Sequence, residues 1–193
     1  MIALEALCVE LTSGDDLRAE VAAVGFPAYG QEGLLCLQSL LKDKSADVRW
    51  WAVRALASFE QVEQFLPDLL TALADPDADV RQAAAMALCH HPSPKALDVL
   101  IKALADGDTM TSRLASNALA QLGSQATLPL LDVLSNGAAS ARLEAARALV
   151  EIKDPRSIPG LMIAQDTDSA LLQYWAGLGL EQMGVGMLYL KPE

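Results

Sequence analysis

Two tryptophans stand side by side in "VRWWAVRAL", Val48 to Leu56, flanked by Arg49 and Arg54, in a chain with only three tryptophans and a formal charge of −11. The third follows a tyrosine, at Tyr174-Trp175. Large amphipathic rings beside guanidinium groups suit recognition, where ring burial and charge-assisted hydrogen bonds concentrate binding energy. Residues suited to bond-making are sparser. His90 and His91 are the only histidines and follow Cys89 in "LCHHPSP". Three consecutive residues at a helix end do not converge on one metal, and histidine there favours the negative helix terminus. "GVGMLY" and "GLGLEQMG" lack the G-x-G-x-x-G spacing and follow a helix rather than a strand, so no nucleotide fingerprint is present. No G-x-S-x-G elbow or Ser-His-Asp set exists either. The residues therefore point to binding, with no catalytic residue, no metal site and no cofactor expected.

The aromatic and cationic residues need a scaffold, and a repeat supplies it. Ala-Leu pairs at 55–56, 87–88, 118–119 and 148–149, then Gly179-Leu180, advance in steps of 32, 31, 30 and 31. A second register runs Leu11, Leu41, Leu73, Leu104, Leu134 and Ala164 through stretches such as "FLPDLLTAL", "ALDVLIKAL" and "TLPLLDVL", whose i, i+3, i+4, i+7 spacing is helical. Each unit reads as helix A, a polar turn and helix B. Asp77 or Asp79 can cap a B helix in "ADPDADVR", and "KDPRSIP" punctuates in the same way. Two short helices cannot bury both of their apolar faces alone, so neighbouring units must stack. The expectation is an all-α fold, an α-α superhelix of about six helical hairpins. It forms a single domain over 1–193, with repeats near 1–30, 31–61, 62–93, 94–123, 124–153 and 154–184 and a C-terminal cap at 185–193.

The B-helix pattern D-V-R-x-x-A-x-x-A-L, seen at 47–56 and 79–88, resembles the HEAT-like repeats of the phycobilisome lyase type over roughly residues 1–184. The resemblance implies an α-solenoid whose B helices line the concave face. That face would carry Trp50, Arg54, Gln82, Met86, Arg113, Arg147 and Tyr174 as its binding residues. Trp50 and Tyr174 occupy one repeat position, and Trp51 and Trp175 the next, where packing in the inter-repeat seam is the expectation. Arg18, Arg49, Arg81 and Arg142 share another position, which in HEAT-like arrays pairs with inter-helix aspartates in a structural ladder. Arg54, Arg113 and Arg147 are then the freer side chains, and the face is mixed or locally positive. The HEAT-repeat hydroxylases hold iron through repeated His-Glu pairs, which this chain lacks.

The implied function is non-enzymatic binding of another protein or peptide. The alternative is a bilin lyase-like or chromophore-chaperone role, with arginines pairing the propionates of an open-chain tetrapyrrole and aromatics stacking on its rings. Nucleic acid is not an expected partner, given the acidity. A membrane is not expected either: no apolar run approaches the ~18 residues of a span, and Glu5 and Glu10 interrupt the N-terminus. Three cysteines, Cys8, Cys36 and Cys89, without C-x-x-C spacing read as free thiols in a reducing, cytoplasmic compartment. The apolar residues of "VGMLYLKPE" suggest a cap on the last repeat and a monomer, with a dimer contact through the same segment as the alternative.

Overall fold

The computed structural model describes residues 3–167 and 169–185, which form twelve α-helices and no strand. Two compact units divide the chain, Met1–Ala96 and Leu97–Glu193. In the first, A helices α1 (Leu4–Leu11), α3 (Gly30–Leu40) and α5 (Leu66–Ala72) alternate with B helices α2 (Asp16–Ala23), α4 (Ala46–Leu56) and α6 (Ala78–His90). Each A helix packs on the B helix that follows it, and α2, α4 and α6 pack in series. The second unit repeats the plan with α7 (Leu97–Ala103), α9 (Thr127–Asn136) and α11 (Ile158–Gln165) as A helices. Its B helices are α8 (Thr109–Gln121), α10 (Ala139–Ile152) and α12 (Ala170–Gln182), again stacked in series. The all-α helical-hairpin expectation holds.

Local signals account for the boundaries. Asp15, Asp77, Asp108 and Ser169 accept backbone N–H bonds at the starts of α2, α6, α8 and α12, which satisfies donors that a helix start leaves open. Of the two candidate caps in "ADPDADVR", Asp77 is the one used. Short 3-10 turns lead into α5, α7, α9 and α11. Helix α12 ends as expected at Gly184, whose φ of 79° is left-handed, and Val185 N–H closes the turn on the Leu180 carbonyl. Residues 186–193, on which the cap and dimer expectations depend, lie outside the described residues.

Both registers enter the core, with Leu41 alone among them half-buried. Leu56, Leu88, Leu119, Leu149 and Leu180 are buried, as are Leu11, Leu73, Leu104, Leu134 and Ala164. Each such leucine contributes about 1.5–3 kcal/mol of burial. The repeated alanine keeps adjacent helices close, and at Gly179 even its methyl would crowd: an added Cβ would sit 3.0 Å from both Leu161 Cδ1 and Val150 Cγ2. The first hairpin leaves Leu17, Val21 and Val24 exposed.

One expectation is corrected here. Cys8 on α1 and Cys36 on α3 are joined by a disulfide, in which Cys89 takes no part. Their separation of 28 residues is close to one repeat step, so they meet across adjacent A helices. Cysteine usage thus no longer argues for a reducing compartment. Burial pushes the Cys89 thiol up to about 11, which leaves it unreactive at neutral pH. Among the described residues no helix is long and apolar enough to cross a membrane.

Candidate functional site

In the first unit the B helices bring acids and aromatics together. Trp51 is 5% exposed, and its ring meets that of Trp50 edge to face, with centroids 4.7 Å apart. Trp50 is half-buried and Trp51 belongs to the core, as the repeat positions predicted. Beside them opens a cleft of about 600 Å³, lined by Asp16, Ala46, Asp47, Trp50, Trp51, Asp77 and Asp79. Asp16, Asp47 and Asp79 stand at one repeat position, in the first turns of α2, α4 and α6. The expectation of a mixed or positive face fails at this end. The arginines two residues further on are engaged elsewhere, while the acids remain at the rim.

Those arginines form the expected ladder in part. Arg49 donates Nε and Nη2 to Asp75, both at 2.8 Å, and Nη1 to the Asp43 carbonyl at 2.9 Å. The pair holds the Asp75 carboxyl below its ordinary range and raises Arg49, the hydrogen bond being the main cause in each case. Arg81 donates to the carbonyls of Asp75 and Pro76. Arg142 donates to the Leu134 carbonyl, and Arg18 pairs with Glu10 rather than an aspartate. Arg54 meets Glu20 of α2 at 3.0 Å, both side chains nearly half exposed. Gln82 is half-buried and Met86 is 45% exposed; neither lines the cleft. His91 Nε2 lies 2.8 Å from the Ala57 carbonyl and its ring packs edge-on against Phe65, a structural role. Among the described residues no histidine, cysteine and carboxylate cluster could hold a metal.

The second unit organises its charges around Glu144 of α10, whose side chain is 5% exposed. Arg113 of α8 donates Nε to both carboxylate oxygens at 3.2 Å, and Arg147 donates Nη1 to Oε2 at 3.2 Å. Ser116 donates to the Glu144 carbonyl oxygen at 2.8 Å. Burial raises the Glu144 carboxyl above its ordinary value, against the opposing pull of Arg113. The Arg147 guanidinium lies 5.0 Å from the centre of the Trp175 ring, which Tyr174 meets edge to face at 5.4 Å. Arg147 is not the free side chain expected. Its side chain is 18% exposed and its Nε is buried without a hydrogen-bond partner, a loss the cation–π contact offsets. Arg113 is 42% exposed, although engaged, and Tyr174 is open to solvent at 61%.

Two groups escaped the sequence reading. Glu144 had a signal: it shares its repeat position with the buried Trp51, and a carboxylate at that position is buried where B helices flank it on both sides. The acid row had one too, in the D-x-R spacing repeated at Asp16, Asp47 and Asp79.

This pattern of stacked hairpins with B-helix arginines has matching families. A HEAT-repeat model covers residues 66–138, and a PBS lyase HEAT-like repeat model covers 141–167. The chain is a HEAT-like repeat protein. Comparison with curated protein sequences gives no match. Solved structures share the fold of this HEAT-like protein at low identity. The complex of CpcE and CpcF of phycocyanin lyase from Nostoc sp. PCC7120 is similar at TM-score 0.56 and 23% identity, over 95% of this chain and 78% of that one. A designed armadillo repeat protein in complex with the peptide (KR)4 gives 0.55 and 21%, over 94% and 100%. Human deoxyhypusine hydroxylase gives 0.53 and 20%, over 94% and 74%.

Proposed function

We propose that this HEAT-like protein is a non-catalytic scaffold that binds a peptide or an extended segment of another protein along its B-helix faces. The observation that carries the reading is a pair of aromatic rings there, the exposed Tyr174 on α12 and the half-buried Trp50 on α4, each held edge-on by a more buried tryptophan. Rings fixed in this way lose little entropy on binding and suit hot spots. Arg54, Gln82, Met86, Arg113 and Arg147 would supply polar and adaptable contacts around them. The similarity to a peptide-bound designed repeat protein and to a complex of two lyase subunits supports a protein partner. Selection from a random peptide library against the folded protein tests this reading. Enriched peptides should lose affinity on Trp50→Ala or Tyr174→Ala while helicity persists. Enrichment of no peptide class, or binding indifferent to both substitutions, would overturn it.

A second reading has its own support. The PBS lyase HEAT-like match spans α10 and α11 and includes Arg147, and the phycocyanin lyase subunits share the fold. Handling of an open-chain tetrapyrrole would use the arginines and rings of the second unit, and protein purified from its native host would then carry visible absorbance. A colourless protein that also fails to take up added bilin would remove this alternative.

A further inference from the structure

We propose that the cleft beside Trp50 receives a cationic side chain, lysine or arginine, of the bound peptide; this rests on the peptide-scaffold reading and names the partner chemistry of one of its sites. The cleft combines two features. Its floor is aromatic: Trp51 is fixed by burial in the seam, and the edge-to-face contact sets the Trp50 ring against it. Its rim is acidic: Asp16, Asp47, Asp77 and Asp79 line it from three successive B helices.

Local structure does not use up that charge. Asp77 caps α6 by accepting from the N–H groups of Asp79 and Val80. Asp16, Asp47 and Asp79 enter no salt bridge among the described residues. The three helix N-termini offset part of the negative charge, at about half an elementary charge each. Arg81 does not line the cleft, and Arg49 and Arg18 are matched by Asp75 and Glu10. Four carboxylates outweigh these contributions, so the rim remains net negative.

A cation over an indole face gains from the ring quadrupole, and carboxylates at the rim add attraction that an anion or an apolar group would forgo. With a volume of about 600 Å³, the cleft has room for a side chain together with its backbone. The row of acids advances one helix spacing per repeat, about 8–10 Å, so an extended chain could offer cations to more than one of them. Recognition here is therefore of a basic segment, and its affinity depends on ionic strength.

The probe is a fluorescein-labelled octapeptide of alternating lysine and arginine, measured by anisotropy at low and at physiological salt, beside an octaglutamate control. The basic peptide should bind and octaglutamate should not. Because a chain of −11 attracts polycations generally, two charge variants are compared. Asp47→Asn/Asp79→Asn should weaken binding by about tenfold or more, whereas Asp98→Asn/Glu151→Gln, which removes the same charge from exposed sites in the other unit, should weaken it less than about twofold. Trp50→Leu should cost about fivefold at either salt, with Trp50→Phe recovering part of the loss. Equal losses in the two charge variants, an unaffected Trp50→Leu, or no binding of the basic peptide would overturn the inference. If Trp50→Leu does not fold, the paired charge variants and Trp50→Phe decide. The two readings fail separately. A library yielding neutral or acidic peptides that depend on Tyr174 would keep the scaffold and discard the cationic cleft, whereas a library yielding nothing would discard the scaffold.

Discussion

The two units place the same pair of residue types at the same two repeat positions and obtain opposite results. Glu20 and Glu144 occupy one B-helix position, and Arg54 and Arg147 occupy another. In the first unit Arg54 reaches back to Glu20 across α2 and α4, and both side chains stay nearly half in solvent. In the second, Glu144 is 5% exposed and is engaged by Arg113 and Arg147 together. The difference lies in neighbours. Helix α10 is flanked by α8 and α12, whereas α2 packs against α4 with no B helix on its other side among the described residues. An ion pair at the edge of a stack remains a surface feature. The same pair between two neighbours becomes a buried network, and its role changes from solvation to specification of how helices meet.

The largest expected effect separates these cases directly. Glu144→Ala should destabilise the protein by about 3–5 kcal/mol in urea unfolding, because it strands Arg147 under Trp175 with two donors unpaired. Glu20→Ala should cost less than about 1 kcal/mol, leaving Arg54 hydrated. Similar values for the two would show that neighbours do not set the role of this position.

The paired aromatics sharpen the contrast between floor and surface. Trp51→Ala should cost about 3–5 kcal/mol, as truncation of a buried aromatic does, and reduce peptide binding through loss of fold together with the cleft floor. Trp50→Ala should change stability by under about 1 kcal/mol while reducing peptide affinity. The reverse assignment would mean that helix α4 is rotated by one position.

The buried carboxylates should also respond to acid in opposite senses. Glu144 has its folded-state pKa raised by burial, so it contributes stability below the ordinary glutamate range, and that contribution is lost as pH rises through the folded value. Asp75 has its pKa lowered by Arg49, so it contributes stability above the ordinary aspartate range and loses it as pH falls. Glu144→Gln should therefore flatten the decline in stability on the upper side of the glutamate range, and Asp75→Asn should flatten the loss on acidification. Thermal melts between pH 3 and 7 would read both.

The repeat and its core were legible because hydrophobic spacing is a property of each helix alone: the positions of Leu56, Leu88 and Leu119 required no knowledge of partners. The same spacing separated Trp51 from Trp50. Arg147 was misread because its position on the helix points outward, and only the ring of Trp175, one repeat later, folds it under. Cys8 and Cys36 were missed because C-x-x-C spacing asks about one helix turn, whereas stacked repeats bring together residues about one repeat apart. The acids of the cleft lay in plain view as D-x-R, but only the arginines of that spacing had a role assigned to them, the structural ladder. The structure sends Arg49 to Asp75 and leaves Asp47 at the rim.

The smallest expected effect tests whether position alone gives an ion pair its strength. A double-mutant cycle on Arg54 and Glu20 should return a coupling of about 0.2–1 kcal/mol at low salt, falling towards zero near 1 M salt, where screening acts within about 3 Å. Arg113 and Glu144 form a pair of the same chemistry with one partner buried, so their coupling should be larger and should survive salt, since ions cannot enter between the guanidinium and a carboxylate 5% exposed. If the exposed pair proves as strong and as insensitive to salt as the buried one, the contrast between the units is geometric without being energetic. In that case Arg54 would be held in place rather than available, and it would drop out of the binding face while Trp50 and Tyr174 remained.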